Sequence, residues 1–89
     1  TKGLLTTYGS PLYRDFVPAY DNVMVGRVRA AGAVIVGKTN VPEFGAGSNS
    51  RNPVWGASGN PFNPMLNPGG SSGGSAVALA TDMLPVCTG

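Results

Sequence analysis

The chain contains no histidine. That absence excludes a Ser-His-Asp triad or a Cys-His pair within these residues. It also argues against a zinc site, since zinc draws heavily on imidazole and thiolate ligands. Cys87 is the single cysteine. An internal disulfide is therefore impossible, and no second thiol stands ready to share a metal. A lone thiol fits a reducing compartment, so the expected location is cytoplasmic. Charge is also scarce. Six basic and four acidic residues give a net charge of +2, spread thinly along 89 residues. Without a basic stripe, nucleic acid is not an expected partner. No apolar run approaches the roughly 20 residues of a membrane span.

What the chain does have is glycine (14) and proline (8), together about a quarter of its residues. That level approaches the composition of disordered chains. Two apolar runs point the other way: Ala33-Val34-Ile35-Val36 and Ala76-Val77-Ala78-Leu79-Ala80. A solvated linker has no use for either.

Residues 1–20 mix turn formers with Tyr8, Tyr13, Phe16 and Tyr20, and read as irregular but partly packed. Asp21 is the expected N-cap of a helix whose apolar positions are Met24, Val25, Val28 and Ala31. Gly32 stops it, as a glycine just past a helix commonly does. The β-branched run Ala33–Val36 is expected to be a buried strand. Val41-Pro42-Glu43-Phe44 opens a short helix, with Pro42 in an early position. Residues 45–70 form a long irregular stretch with five asparagines and four prolines. Trp55 and Phe62 are expected to pack it down. A second helix begins at Gly74 or Ser75 and runs to about Thr81. Leu84–Thr88 is expected to be another strand. Helix and strand in alternation give an α/β reading.

Two short motifs compete for attention. Gly32–Thr39 fits G-x-x-x-x-G-K-[ST], the phosphate-binding loop pattern. Its chemistry requires a flexible turn after a strand. Here the middle residues are Ala-Val-Ile-Val, and a helix precedes them. A nucleotide-binding module at Gly37-Lys38-Thr39 is thus the weaker reading, and Lys38 is expected to be structural. Gly69-Gly70-Ser71-Ser72-Gly73 fits G-x-S-x-G, the nucleophile elbow. No strand precedes that run either. The plainer readings are a glycine-rich turn capping the next helix, or a backbone N–H cradle for an anion at that helix start.

The longer run Pro68 to Ala76, P-G-G-S-S-G-G-S-A, is more specific than either motif. Glycines permit close backbone approach. Clustered hydroxyls can pass protons, since each both donates and accepts. This run, followed by an alanine-rich helix, resembles the signature segment of the amidase signature family. Arg29–Asn40, ending in G-K-T-N, is similar to that family's helix–strand segment. Val41-Pro42-Glu43-Phe44, Asn60-Pro61-Phe62-Asn63-Pro64, Thr1-Lys2-Gly3 and Thr7-Tyr8-Gly9-Ser10 also match in order and spacing.

The resemblance implies a fragment of the amidase signature fold, a mixed β-sheet flanked by helices, with residues 1–89 an internal part of one amidase domain. It implies cleavage of carboxylic amides by a Ser-cisSer-Lys triad, with a small-molecule amide as substrate and no cofactor. Ser71 would be the bridging serine, preceded by a cis peptide bond, and Ser72 would support it by hydrogen bonding. Phe44, Gly45, Ala46, Gly47 and Ser48 would line the acyl pocket. The lysine base would lie a few residues before Thr1 and the nucleophilic serine a few residues after Gly89. The isolated segment is therefore expected to be inactive. A non-catalytic relative or scaffold that keeps Ser71 remains the alternative.

Overall fold

The computed structural model describes residues 1–89 as a slab measuring 38 × 31 × 17 Å. A single helix with its side chains is about 10–12 Å across. A thickness of 17 Å leaves little room for a core enclosed between stacked layers. The consequence is direct: only 10 of 89 residues are buried, and Ala78 is the one buried apolar side chain that is not proline.

Residues 1–20 fold back on themselves. Gly3 N donates to Pro18 O and Thr6 N to Phe16 O, around a 3₁₀ turn at Pro11–Tyr13. Helix α1 spans Val23–Ala30. Its cap is Asn22 rather than Asp21: the Asn22 side chain accepts from Met24 N at 2.8 Å. Asp21 is occupied elsewhere. It accepts from Lys2 N at 2.6 Å and from Arg29 Nε at 2.9 Å, which ties the first residues to the helix. The end of α1 agrees with the sequence reading. Gly32, at φ +92°, donates to Arg29 O, and Ala33 N reaches back to Val28 O. These two bonds make a Schellman cap, which satisfies carbonyls the helix leaves open.

Neither expected strand forms a ladder. Residues 34–41 donate no backbone–backbone hydrogen bond, and residues 84–89 neither donate nor accept one. A strand is defined by a paired neighbour, and neither run has one. Val34 (87% exposed) and Val86 (78%) stand open. Both runs, with Met24 and Val28 of α1, border a groove of about 430 Å³. The ladder that does exist is short. Strands β1 (Arg51–Asn52) and β2 (Gly56–Ala57) pair antiparallel, Arg51 with Ala57 and Asn52 with Gly56.

The proline-rich stretch has its own logic. It contains four Asn-Pro steps, at Asn52, Asn60, Asn63 and Asn67. In each, the asparagine side-chain oxygen accepts the N–H of the residue two positions on: Val54, Phe62, Met65 and Gly69. Proline has no N–H and fixes φ near −65°, while the residue before it is held extended. The next free N–H is thereby aimed back at the Asx oxygen. Four such turns fold the stretch without helix or sheet. The turns leave Phe62 84% exposed, so it does not pack down. Trp55 is 60% exposed but anchored, donating from Nε1 to Thr7 Oγ1 at 3.0 Å.

Helix α2 spans Gly73–Ala80, starting one residue before the earlier of its expected origins. It too ends in a Schellman cap, with Asp82 at φ +55° in the position that Gly32 fills after α1.

Candidate functional site

The glycine-serine run delivers Ser71 and Ser72 to the N-terminal end of α2. The Gly70–Ser71 peptide bond is cis, as the resemblance implied. Two glycines are required by close approach. A Cβ on Gly70 would strike the Ser48 carbonyl, and one on Gly74 would strike the Asn40 backbone. Gly70 thus brings the Phe44–Ser48 segment directly against the serine loop. Gly74 seats α2 on the G-K-T-N segment.

Ser50 sits at the centre of this contact and is 2% exposed. Its hydroxyl donates to Ser71 O at 2.6 Å and accepts from Gly73 N at 2.6 Å. Asn40 O lies at a longer 3.3 Å. A second hydroxyl contact ties the same helix to two other segments. Thr39 Oγ1 and Ser75 Oγ are 2.8 Å apart, and Ser75 Oγ donates to Thr88 O at 2.7 Å. The Thr39 hydroxyl is thereby engaged inside the fold. In a phosphate-binding loop that hydroxyl would face a metal ion, and a helix would start at this point. After Thr39 the chain instead runs through Asn40, Val41 and Pro42 into a 3₁₀ turn at Glu43–Gly45. The nucleotide-binding reading of Gly37-Lys38-Thr39 fails on both counts, and Lys38 lies exposed beside the fold.

A network of side-chain amides holds the opposite wall. Asn52, 5% exposed, donates from Nδ2 to Asn40 Oδ1 at 2.6 Å and to Val41 O at 2.7 Å. Asn40 passes the chain on, from its own Nδ2 to Ser58 Oγ at 3.1 Å. Thr7, Asn40, Asn52, Trp55 and Ser58 together border a cavity of about 470 Å³.

Phe44 joins Tyr8, Tyr13 and Phe16 in an aromatic cluster with centroid separations of 5.2–6.4 Å. Stacked and edge-on pairs both occur, as the ring quadrupoles favour. Phe44 adopts φ +52° and its N–H donates to Tyr8 O at 2.7 Å. These contacts fix where the Phe44–Ser48 segment leaves the cluster and heads for Gly70.

No charged side chain lies in the sequence between Arg51 and Asp82, the stretch that holds the serine loop. The perturbed groups lie at α1. The Arg29 guanidinium, then the Lys2 N–H, hold the Asp21 carboxyl below the usual carboxylate range. Asp21 in turn raises Arg29. No group of three or more His, Cys, Asp or Glu converges on a point that could hold a metal.

The Amidase family model matches residues 1–89, the whole chain. The chain belongs to the amidase signature family. Among its relatives, the glutamyl-tRNA(Gln) amidotransferase A-subunit of Thermus thermophilus is 51% identical over 89 residues. Its counterpart in Alkaliphilus metalliredigens is 46% identical. All of this chain aligns, but it covers only 19% and 18% of those proteins. The crystal structure of the glutamyl-tRNA(Gln) amidotransferase A-subunit from Thermotoga maritima superposes with TM-score 0.86 at 37% identity. It covers 94% of this chain and 19% of that one. An inhibitor-bound structure from a vestigial complex tied to the origins of an s-triazine catabolic enzyme gives TM-score 0.83 at 38% identity, covering 96% of this chain and 19% of that one. The fold is therefore a segment of the amidase signature fold, spanning about a fifth of its relatives' length.

The amidase segment brings together Ser71, Ser72 and the Ser48 end of the acyl-pocket candidates. Ser50 and Asn52 were missed as site-organising residues by reading the sequence. The Asn-Pro repeat was the available signal for Asn52. For Ser50, one of many serines in irregular chain, no local signal existed.

Proposed function

We propose that residues 1–89 are part of one amidase domain and carry the bridging serine of an amide-cleaving Ser-cisSer-Lys triad. The observation supporting this is the G-G-S-S-G-G run seated at the start of α2, in a chain matched by its family from end to end. In this reading Ser71 stands between a lysine and a nucleophilic serine supplied by the remaining polypeptide. Serine attacks poorly until a neighbour takes its proton. A neutral lysine would accept the Ser71 proton as Ser71 accepts the nucleophile's. The attacking oxygen then forms a bond to the amide carbon. Reversing the relay protonates the departing nitrogen, and the C–N bond breaks. Water releases the acyl group in the second half.

Ser72 would orient Ser71, and Phe44, Gly45, Ala46, Gly47 and Ser48 would line the acyl side. The open faces at Val34, Val36 and Val86 would be covered by the rest of the domain, since apolar patches of this kind mark contact surfaces. The substrate would be a small amide. A second reading comes from the relatives, which are named as glutamyl-tRNA(Gln) amidotransferase A-subunits: the nitrogen released is passed to an acceptor rather than lost.

The test uses the full-length protein. Ammonia release from acetamide, benzamide and L-glutamine is measured for wild type and Ser71→Ala. A fall in kcat of at least about a thousandfold, with unchanged melting, is expected for loss of a triad member. Wild-type turnover by Ser71→Ala would reject the triad role. Inactivity of the wild type on every amide, with and without an acceptor, would favour the non-catalytic relative.

A further inference from the structure

We infer that Ser50 is the positioning residue for Ser71, an inference that rests on the amidase reading above. The direction of a serine hydroxyl is set by its own backbone. The Ser71 backbone is gripped from one side by a single buried atom. Ser50 Oγ donates its only proton to Ser71 O at 2.6 Å and accepts the Gly73 N–H at 2.6 Å. One hydroxyl thus fixes the peptide leaving Ser71 and the amide two residues on, which is the first of α2. A hydroxyl can do both because it carries one proton and two lone pairs. Alanine can do neither, and cysteine is a weak donor with a longer reach.

The grip is useful only if Ser50 is itself fixed. Its carbonyl accepts from Ser58 N at 2.9 Å, and the next residue opens the β1–β2 ladder. Behind it, Asn52 anchors that ladder to Asn40 and Val41. The hairpin is a platform, Ser50 the peg on it, and the serine loop hangs on the peg. Gly73 leaves no slack, since a Cβ there would come within 2.7 Å of Ser50 Oγ. Ser50 reaches no reacting atom in this arrangement. Its effect passes through the aim of Ser71, and a displacement of about 1 Å in a positioned group can cost about a hundredfold in rate.

The experiment compares Ser50→Ala, Ser50→Thr and Ser71→Ala in the full-length protein, on the same three amides. Ser50→Ala is expected to lower kcat by about ten- to a hundredfold with KM within about threefold, because binding does not use this hydroxyl. Ser50→Thr keeps the hydroxyl on the same carbon and is expected to recover most of kcat. Hydrogen exchange at the Gly73 amide gives an independent reading: faster in Ser50→Ala, slow again in Ser50→Thr. The inference is overturned if kcat per folded molecule is unchanged in Ser50→Ala. It is also overturned if the Gly73 amide stays protected there. Wild-type turnover by Ser71→Ala would remove the amidase reading itself. An inactive Ser71→Ala beside a fully active Ser50→Ala would remove the role of Ser50 alone.

Discussion

Asn52→Asp is the sharpest test of how the loops are held together, because it changes chemistry and leaves shape alone. The amide orientation of Asn52 is dictated by its neighbours. Val41 O can only accept, so it must face Nδ2; Val54 N and Trp55 N can only donate, so they must face Oδ1. Aspartate keeps the second pair and destroys the first. Its second oxygen would face Asn40 Oδ1 and Val41 O at the positions now 2.6 and 2.7 Å away. A buried polar group left without its partner costs about 1–3 kcal/mol. Two such groups give about 2–6 kcal/mol. Asn40 can relieve one by turning its amide over, since Ser58 Oγ can donate as readily as accept. That turn would set Asn40 Oδ1 against Gly56 O, its present acceptor at 3.3 Å. The expected loss is therefore about 2–5 kcal/mol, read as a shift in urea midpoint of the full-length protein. Two signatures separate this mechanism from general damage. The Val54 and Trp55 amides stay protected from exchange in Asn52→Asp and lose protection in Asn52→Ala. The loss also shrinks as pH falls. Facing two acceptors raises the folded-state pKa of the new carboxyl, and once protonated it can donate again. An Asn52→Asp protein within about 0.5 kcal/mol of wild type at neutral pH would refute the argument.

Asp82 holds φ +55° in the cap of α2, a region glycine enters freely; Asp82→Gly is expected to raise stability by up to about 1 kcal/mol in urea unfolding. Gly74→Ala would drive a Cβ into the Asn40 backbone; overpacking of this kind costs about 1–3 kcal/mol or more, and the urea midpoint should fall accordingly. The Asp21 carboxyl is held low by Arg29 and Lys2. Its contribution is therefore complete above the unfolded carboxylate pKa and is lost as pH falls through the lower folded value. The protection of the Lys2 amide relative to its intrinsic exchange rate should fall in that acid range in wild type, and be absent at every pH in Asp21→Ala.

Legibility in the sequence tracked the range of the forces involved. The α1 helix, its Gly32 stop and the start of α2 within a residue of its expected origin were readable, because each depends on residues close in the chain. The cis Gly70–Ser71 bond was legible only through the family resemblance of the run that holds it. The N-cap was misplaced by one position for an instructive reason. Asp21 and Asn22 are both good caps, but Arg29, two turns along the helix, claims Asp21 first. The expected strands at Ala33–Val36 and Leu84–Thr88 show the opposite limit. Their β-branched composition is real, yet pairing is a property of two segments, and no segment of these 89 residues lies against them as a ladder. Phe62 departs from the packing its aromatic ring suggests, because Asn60 and Asn63 turn the backbone locally and leave the ring outside.

The interior of this segment is polar where most interiors are not. Its buried side chains are chiefly Thr6, Thr7, Ser10, Ser50, Asn52 and Ser75, and its large apolar groups face outward. That inversion suits the proposed task. Apolar burial is non-directional, so it can hold a sheet together without fixing one hydroxyl to a fraction of an ångström. Hydrogen bonds are directional and are costly when left unmade. A loop whose carbonyl and N–H are both claimed by Ser50, on a hairpin claimed by Asn52, has few alternatives of comparable energy. The outward apolar faces can then serve the different purpose of joining this segment to a larger sheet. Precision and cohesion are thus assigned to different residues. A substitution at Val34 or Val86 should cost stability and spare kcat per folded molecule, while one at Ser50, which leaves Ser71 O and Gly73 N unpaired, should lower kcat as well. Equal effects on both quantities at both places would show that the two roles are not separated.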